Sequence, residues 1–233
     1  PWDNHIFRVS IARAYRNPSI IENFVNFGVV TGPPPAPVLQ VIGNRNFHAE
    51  EITSYELGYQ FILPKQLTAT IDLFYNRLDH MSPGSVLIPA KREFDVLSGG
   101  SGSIYGGEIS LDYLINEWLR AFANYSYQQR NFSDRNLQGI GANNKANVGL
   151  NFTMPKGFEA DLFVNSVSGS KDSTGSVAPY SMVNLRLGYQ FDLMGAKGNL
   201  GVGVFNLLND KHREATLGAL IERRITGGLQ LKF

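Results

Sequence analysis

Residues 53–63 read Thr53-Ser54-Tyr55-Glu56-Leu57-Gly58-Tyr59-Gln60-Phe61-Ile62-Leu63. Thr53, Tyr55, Leu57, Tyr59, Phe61 and Leu63 fall at every second position and alternate with Ser54, Glu56, Gly58 and Gln60. Successive side chains of a strand point to opposite faces, so this period of two predicts a strand with one apolar and one wet face. Outward from this stretch the pattern repeats. Leu67, Ala69, Ile71, Leu73 and Tyr75 oppose Thr68, Thr70, Asp72 and Asn76, with Phe74 as the exception. Ile109, Leu111 and Tyr113 oppose Glu108, Ser110 and Asp112, and Leu119, Ala121, Ala123, Tyr125 and Tyr127 oppose Arg120, Asn124 and Ser126. Ala146, Val148, Leu150 and Phe152 oppose Lys145, Asn147, Gly149 and Asn151. Val183, Leu185, Leu187, Tyr189 and Phe191 oppose Asn184, Arg186, Gly188 and Gln190. The last stretch sets Ile225, Leu229, Leu231 and Phe233 against Arg224, Thr226, Gln230 and Lys232. About ten such strands are expected by this template, and the fold class is all-β.

Two features separate these strands from those of a soluble sandwich. Alternation often persists for about ten residues, the length of a tilted strand crossing a bilayer, whereas soluble strands average about five or six. The connections also alternate in length. Pro64-Lys65, Asn116-Glu117, Pro155-Lys156-Gly157 and Met194-Gly195-Ala196 are brief, while 17–50, 79–104, 131–142, 167–179 and 209–222 are long. Outer-membrane barrels pair tight periplasmic turns with long extracellular loops. Tyr and Phe near strand ends, among them Tyr55, Tyr59, Tyr75, Tyr105, Tyr113 and Tyr189, suit interfacial girdles. A soluble antiparallel sheet remains the alternative, because a half-buried soluble strand alternates too.

Composition narrows the function classes. The 233 residues are 43% hydrophobic and 18% charged, which excludes a disordered chain, and no linker divides them. Twenty-one basic against 20 acidic residues give a net charge of +1, without the footprint of a nucleic-acid binder. Cysteine is absent, which removes disulfides, thiolate metal sites and cysteine nucleophiles. No apolar run reaches the roughly 18 residues of a membrane helix. The chain opens Pro1-Trp2-Asp3, without an initiator Met, and reads as a mature product or a fragment.

Four motifs in order carry a family resemblance. The string Ile42-Gly43-Asn44-Arg45-Asn46-Phe47-His48-Ala49-Glu50-Glu51, followed by Ser54-Tyr55-Glu56-Leu57-Gly58-Tyr59, resembles the NPxLxPE…YELGY segment of TonB-dependent outer-membrane receptors. Arg16-Asn17-Pro18-Ser19 with Glu22-Asn23-Phe24 is similar to the RxPSxxELF stretch. Tyr105-Gly106-Gly107-Glu108 is similar to the GxE strand start, and Asn206-Leu207-Leu208-Asn209-Asp210-Lys211 to the NLFN/NLFD box. The chain ends Gly227-Gly228-Leu229-Gln230-Leu231-Lys232-Phe233, like the family's closing strand. Phe47 and Ala49 stand where Leu and Pro are common, and His212 where Tyr is usual.

The resemblance implies an antiparallel transmembrane β-barrel of about 22 strands with a TonB box and a plug, of which residues 1–233 would supply about ten C-terminal strands. It implies active transport of a scarce ligand, most often a ferric siderophore, across the Gram-negative outer membrane. The partners would be that ligand, the lipid bilayer and the TonB complex, reached through the plug and the N-terminal region. Polar faces bearing Arg120, Asn124, Lys145, Asn147, Asn184, Arg186 and Gln190 would line the lumen. The long loops 17–50 and 79–104 would select the ligand, with Phe24, Phe27, Arg45, Phe47, His48, His80, Arg92 and Phe94 as candidate contacts. Cations there suit an anionic chelate and aromatics a planar catecholate. The Gly32-Pro33-Pro34-Pro35 run reads as a stiffener of the first loop.

Other chemistry is thin. No HExxH, GxSxG or GxGxxG occurs, and Gly99-Gly100-Ser101-Gly102-Ser103 lacks the Lys of a phosphate loop. The four histidines, His5, His48, His80 and His212, are widely spaced, so no metal site, cofactor or catalytic residue is expected. The alternative reading is a standalone barrel acting as a pore, adhesin or surface protease, with Asp79-His80 or Asp210 and His212 activating water.

Overall fold

A computed structural model describes residues 3–30, 32, 33, 35, 38–82, 85–88, 91–96, 99–133, 141–172, 175–193 and 195–232. Pro34, Met194, Phe233 and the stretch 134–140 of the third long loop lie outside the described residues. In chain order the elements are β1 (His5–Arg16), α1 (Ile20–Phe24), β2 (Asn26–Val30), β3 (Val38–Ile42), β4 (Glu50–Leu63) and β5 (Leu67–Met81). There follow β6 (Ser85–Ile88), β7 (Glu93–Val96), β8 (Gly100–Asn116), β9 (Leu119–Phe132), β10 (Asn144–Thr153) and β11 (Phe158–Val167). The last are β12 (Ser170–Asp172), β13 (Gly175–Val177), β14 (Tyr180–Leu193), β15 (Ala196–Phe205) and β16 (Arg224–Lys232).

Ten of these strands form one antiparallel sheet in the order β1-β4-β5-β8-β9-β10-β11-β14-β15-β16. Each long strand therefore pairs with the next long strand of the chain, an up-and-down arrangement. Its connections alternate as the sequence predicts: 64–66, 117–118, 154–157 and 194–195 at one rim, and 17–49, 82–99, 133–143, 168–179 and 206–223 at the other. The tight rim depends on left-handed backbone. Lys156 has φ 70° and Gly157 φ 86°, and a Cβ at Gly157 would collide with the Gln190 carbonyl oxygen.

Register carries the two-faced pattern across the whole sheet. Leu63, Leu67, Tyr113, Ala121, Leu150, Leu162, Leu185, Val204 and Ile225 oppose one another from β4 to β16, an unbroken apolar row apart from the Tyr113 hydroxyl. Tyr55, Tyr75 and Tyr105 form a second row on the same face, with ring centroids 6.4 and 6.5 Å apart. At the tight rim Phe158 meets Tyr189 at 4.6 Å, and Trp118 meets Phe152 at 6.4 Å. On β8 the interval from Tyr105 to Tyr113 spans about 27 Å of strand, or about 20 Å once tilted by about 40°. That is close to the apolar band of a membrane barrel. Phe74, the exception to its strand's alternation, stands on the opposite face against Gly106.

The soluble alternative fails on burial. Among the described residues the buried apolar side chains are Phe47, Leu78, Phe132, Ala142, Val177 and Ala196, and most of these lie at loops and strand ends. The apolar face itself is open, with Val148 52%, Leu187 52% and Leu73 50% exposed and, among the described residues, no second layer of sheet or helix upon it. A soluble sheet would cover such a face. No helix of the described residues is long and apolar enough to cross a membrane.

An arginine in place of Val148, midway along β10 on the apolar face, is expected to lower the unfolding free energy in lipid by about 2–4 kcal/mol. Ser126→Arg, on the polar face beside Glu108, is expected to change it by less than about 1 kcal/mol. Urea titration of the two variants in phospholipid vesicles measures the difference.

Candidate functional site

The long-loop rim is built on one arginine. Arg16, the last residue of β1, donates to Glu50 at the start of β4 (2.6 Å) and to both carboxylate oxygens of Glu22 in α1 (3.0 and 2.9 Å). Glu22 closes a capping box: its backbone N–H donates to Ser19 Oγ (3.2 Å) while its carboxylate accepts from the Ser19 N–H (2.7 Å). Glu50 also accepts from the Ser82 N–H, beyond the end of β5 (2.8 Å). The returning chain is tied in by Gly43 N–H to the Val25 carbonyl (2.7 Å) and Asn44 N–H to the Glu22 carbonyl (2.8 Å). The Arg16–Ser19–Glu22 and 42–51 motifs are thus two halves of one clasp.

Beyond the clasp the two long loops merge. Strands β2, β3, β7 and β6 form a four-stranded sheet, in which β3 of the first loop pairs in parallel with β7 of the second. Gln40 N–H donates to the Arg92 carbonyl (2.9 Å) at the start of that pairing. Of the candidate contacts, Phe27 and Phe94 lie in this crown and Arg92 at its edge, while Phe24, Arg45, Phe47, His48 and His80 lie between it and the strand ends. Phe27, Val41 and Phe94 share one register row across β2, β3 and β7. The Arg45 guanidinium lies over the exposed Phe24 ring, 5.8 Å from its centroid. Arg92 is exposed, with φ 57°. His48 and His80 stand ring to ring at 5.3 Å. Phe47 departs from the rest: it is 7% exposed, so its ring is turned away from solvent.

The two Asp-His neighbours bond as follows. Asp79 is held by Arg77 (2.9 Å), and Asp210 meets His212 through its backbone carbonyl, to which Nδ1 lies at 2.7 Å. The His212 ring is buried and stacked on Tyr180 at 4.1 Å. Among the described residues no group of three or more His, Asp or Glu side chains is placed to hold a metal ion.

The opposite, polar face of the sheet carries the residues expected for a lumen. Asn165 donates to Asn147 (2.5 Å), Asn184 donates to Asn165 (3.0 Å), and the Asn206 N–H donates to Asn184 (2.9 Å). This amide ladder ends in the Asn206–Asp210 box. The Asn206 side chain, 1% exposed, donates to the Asp210 carbonyl (2.8 Å) and accepts from the Asp210 N–H (2.9 Å). Its φ of 53° suits asparagine better than most side chains. Lower on the same face, Arg186 bridges Asp161 (3.0 Å) and Glu159 (3.3 Å), Asn151 donates to Asp161 (2.8 Å), and Arg120 grips Asp112 (2.7 Å). The sequence placed Asn147, Asn184 and Arg186 on this face, but not the ladder that joins the asparagines to the 206–210 box.

Two outcomes follow from this geometry. Asn206→Ala leaves buried partners of the box unsatisfied and is expected to destabilise by about 2–4 kcal/mol in urea unfolding. The Glu22 carboxyl is held down to about 2 by its bonds from Arg16 and the Ser19 N–H. Its folded value lies below the unfolded value of about 4.3, so the clasp contributes stability above that pH and loses it as pH falls through about 2. Amides around α1 are expected to stay protected from hydrogen exchange at pH 3.5, and to lose that protection in Glu22→Gln.

A family model described as "TonB dependent receptor-like, beta-barrel" matches residues 1–207. No curated protein matches the chain in sequence. Among solved structures, the ferric enterobactin receptor PfeA of Pseudomonas aeruginosa aligns at 17% identity with a TM-score of 0.74, covering 99% of this chain and 39% of its own. The copper transporter OprC aligns at 17% identity and TM-score 0.74, covering 100% and 38%. BauA, the ferric preacinetobactin receptor of Acinetobacter baumannii, aligns at 16% and 0.71, covering 100% and 35%. The chain therefore spans about two-fifths or less of the receptors it resembles in fold. The ten-stranded two-faced sheet, the long-loop crown and the family match make one statement: this chain belongs to the β-barrel domain of the TonB-dependent receptors, a family of outer-membrane transport receptors.

Proposed function

We propose that this chain supplies C-terminal strands of an outer-membrane receptor that takes up a scarce ligand, a ferric siderophore, by TonB-driven transport. The observation that carries the reading is the pair of sheet edges. β1 and β16 each have a strand partner on one side only, while their outward side chains, such as Val9 (77% exposed) and Ile225 (68%), are apolar. A lipid environment offers no hydrogen bonds to such edges, so further strands would close the barrel in the whole protein. A plug inside it would face the amide ladder and the Arg186 network, which offer donors and acceptors along the lumen wall. The standalone-barrel reading requires β1 and β16 to pair with each other, and among the described residues β1 pairs with β4 alone and β16 with β15 alone.

Ferric catecholate chelates are planar-ringed anions, and the crown presents that complement: Arg45 over Phe24, the Phe27–Val41–Phe94 row, and Arg92. Solved relatives in fold include receptors for ferric enterobactin and ferric preacinetobactin, which supports this ligand class. OprC, a copper transporter, supports metal-containing cargo more broadly.

The native protein recovered from outer membranes is expected to have an intact mass more than twice the 25.8 kDa of this chain. Cells carrying the full gene are expected to accumulate radiolabelled iron from a catecholate siderophore, and Phe24→Ala with Arg45→Ala to weaken binding of that chelate about tenfold while the barrel folds normally. A native mass near 25.8 kDa, or uptake unchanged by deletion of the gene, defeats the reading.

A further inference from the structure

The hairpin of β4 and β5 turns about Lys65 and pairs residues equidistant from it, down to Glu51 opposite Asp79. Just beyond that pair the outer edge of β5 breaks step: its register against β8 shifts between Leu78 and Met81. Within the break His80 takes φ 58°, a left-handed conformation that histidine adopts more readily than most side chains. Bulges re-aim side chains, and strained residues cluster where a group must be held in one place. Here the re-aimed group is an imidazole, and what it meets is a second imidazole. His48, on the chain entering β4, lies with its ring centroid 5.3 Å from that of His80, at an interplanar angle of 37°. Both rings are exposed.

The spacing is that of two ligands on one ion. A divalent metal sits about 2.0–2.1 Å from a histidine nitrogen, and the ring centroid lies about 1.1 Å beyond that nitrogen. Each centroid is then about 3.2 Å from the ion, and for nitrogen–metal–nitrogen angles of about 90–110° the two centroids are about 4.5–5.2 Å apart. The neighbouring charges balance. Glu51 and Asp79 flank the pair, with Arg13 on Glu51 (2.6 Å) and Arg77 on Asp79 (2.9 Å), so both carboxylates are engaged and the site is a two-nitrogen one.

We propose that His48 and His80 form a two-imidazole site for a borderline divalent transition-metal ion, Zn²⁺, Cu²⁺ or Ni²⁺, with its remaining positions filled by water. Imidazole suits these ions and discriminates against Ca²⁺ and Mg²⁺. An ion held there fastens the end of the first long loop to the top of β5, where the second begins. The site is independent of which ligand the crown selects.

The test uses the full-length receptor in detergent with Cu²⁺ as the probe. Electron paramagnetic resonance of the one-equivalent complex is expected to show hyperfine coupling to two imidazole nitrogens. Titration calorimetry is expected to show at least about a tenfold loss of affinity in His48→Ala and in His80→Ala, a loss that outer-shell changes alone can cause at metal sites. His212→Ala is expected to bind as the parent does. Spectra showing a single nitrogen or none, or equal affinity of parent and His48→Ala/His80→Ala double variant, overturn the proposal. The spectrum of the unsubstituted protein decides even if a variant fails to fold.

Discussion

A slip of one residue between any two of the ten long strands would move every apolar side chain of the slipped strand to the polar face, so cross-strand register is the constraint on which the rest of this structure depends. The register is set locally. Each tight connection reverses the chain within a few residues, and three of the four use left-handed backbone, at Lys65, at Lys156 and Gly157, and at Gly195. From those fixed points the pairing propagates, and the row from Leu63 to Ile225 stays apolar across nine strands except for the Tyr113 hydroxyl. Apolar burial of the soluble kind contributes little, because the apolar face is open; its environment in the membrane has to be lipid.

The polar face solves a different problem. Its side chains cannot rely on an apolar core for position, so they position one another. Asn147, Asn165 and Asn184 hand hydrogen bonds from strand to strand until they reach the backbone of Asn206. Arg186 does the same with charge, bridging two acidic residues of β11 from β14. Such exposed pairs contribute little individually, typically less than about 1 kcal/mol. Their effect is order: a wall whose donors and acceptors have fixed places is a surface that another protein segment can match.

Most of the sheet was legible in the sequence because alternation reports faces directly, and even Phe74, the one break in its strand, occupies the face its position dictates. The crown was not. Strands β2, β3, β6 and β7 are four or five residues each, too short for periodicity to declare itself, and their pairing joins loops far apart in the chain. Phe47 illustrates the cost of losing periodicity: nothing in the loop pattern distinguishes an aromatic turned inward, as it is, from one turned outward like Phe24. The histidines are widely spaced in the sequence, yet His48 and His80 are neighbours. Reflection of the hairpin about Lys65 brings them near one another, and only the bulge at His80, invisible in sequence, completes the approach.

Parallel strands ordinarily need a crossover to return the chain to its starting end, and β3 and β7 have one of an unusual kind. The chain leaves β3, descends through β4, turns at Lys65, climbs through β5, and comes back through β6 to lie beside β3. The crossover is the membrane hairpin itself. Closing long loops on each other carries an entropic cost that grows with their length, but the first loop ends at β4 and the second starts from its neighbour β5, with Arg16, Glu50 and Ser82 clasping these ends. The β3–β7 pairing is thus carried on the ends of the β4–β5 hairpin. Moving the hairpin ends would move the attachment points of the Phe27–Val41–Phe94 row and the Arg92 contact together, so the position of the crown depends on the barrel wall beneath it as well as on the loops.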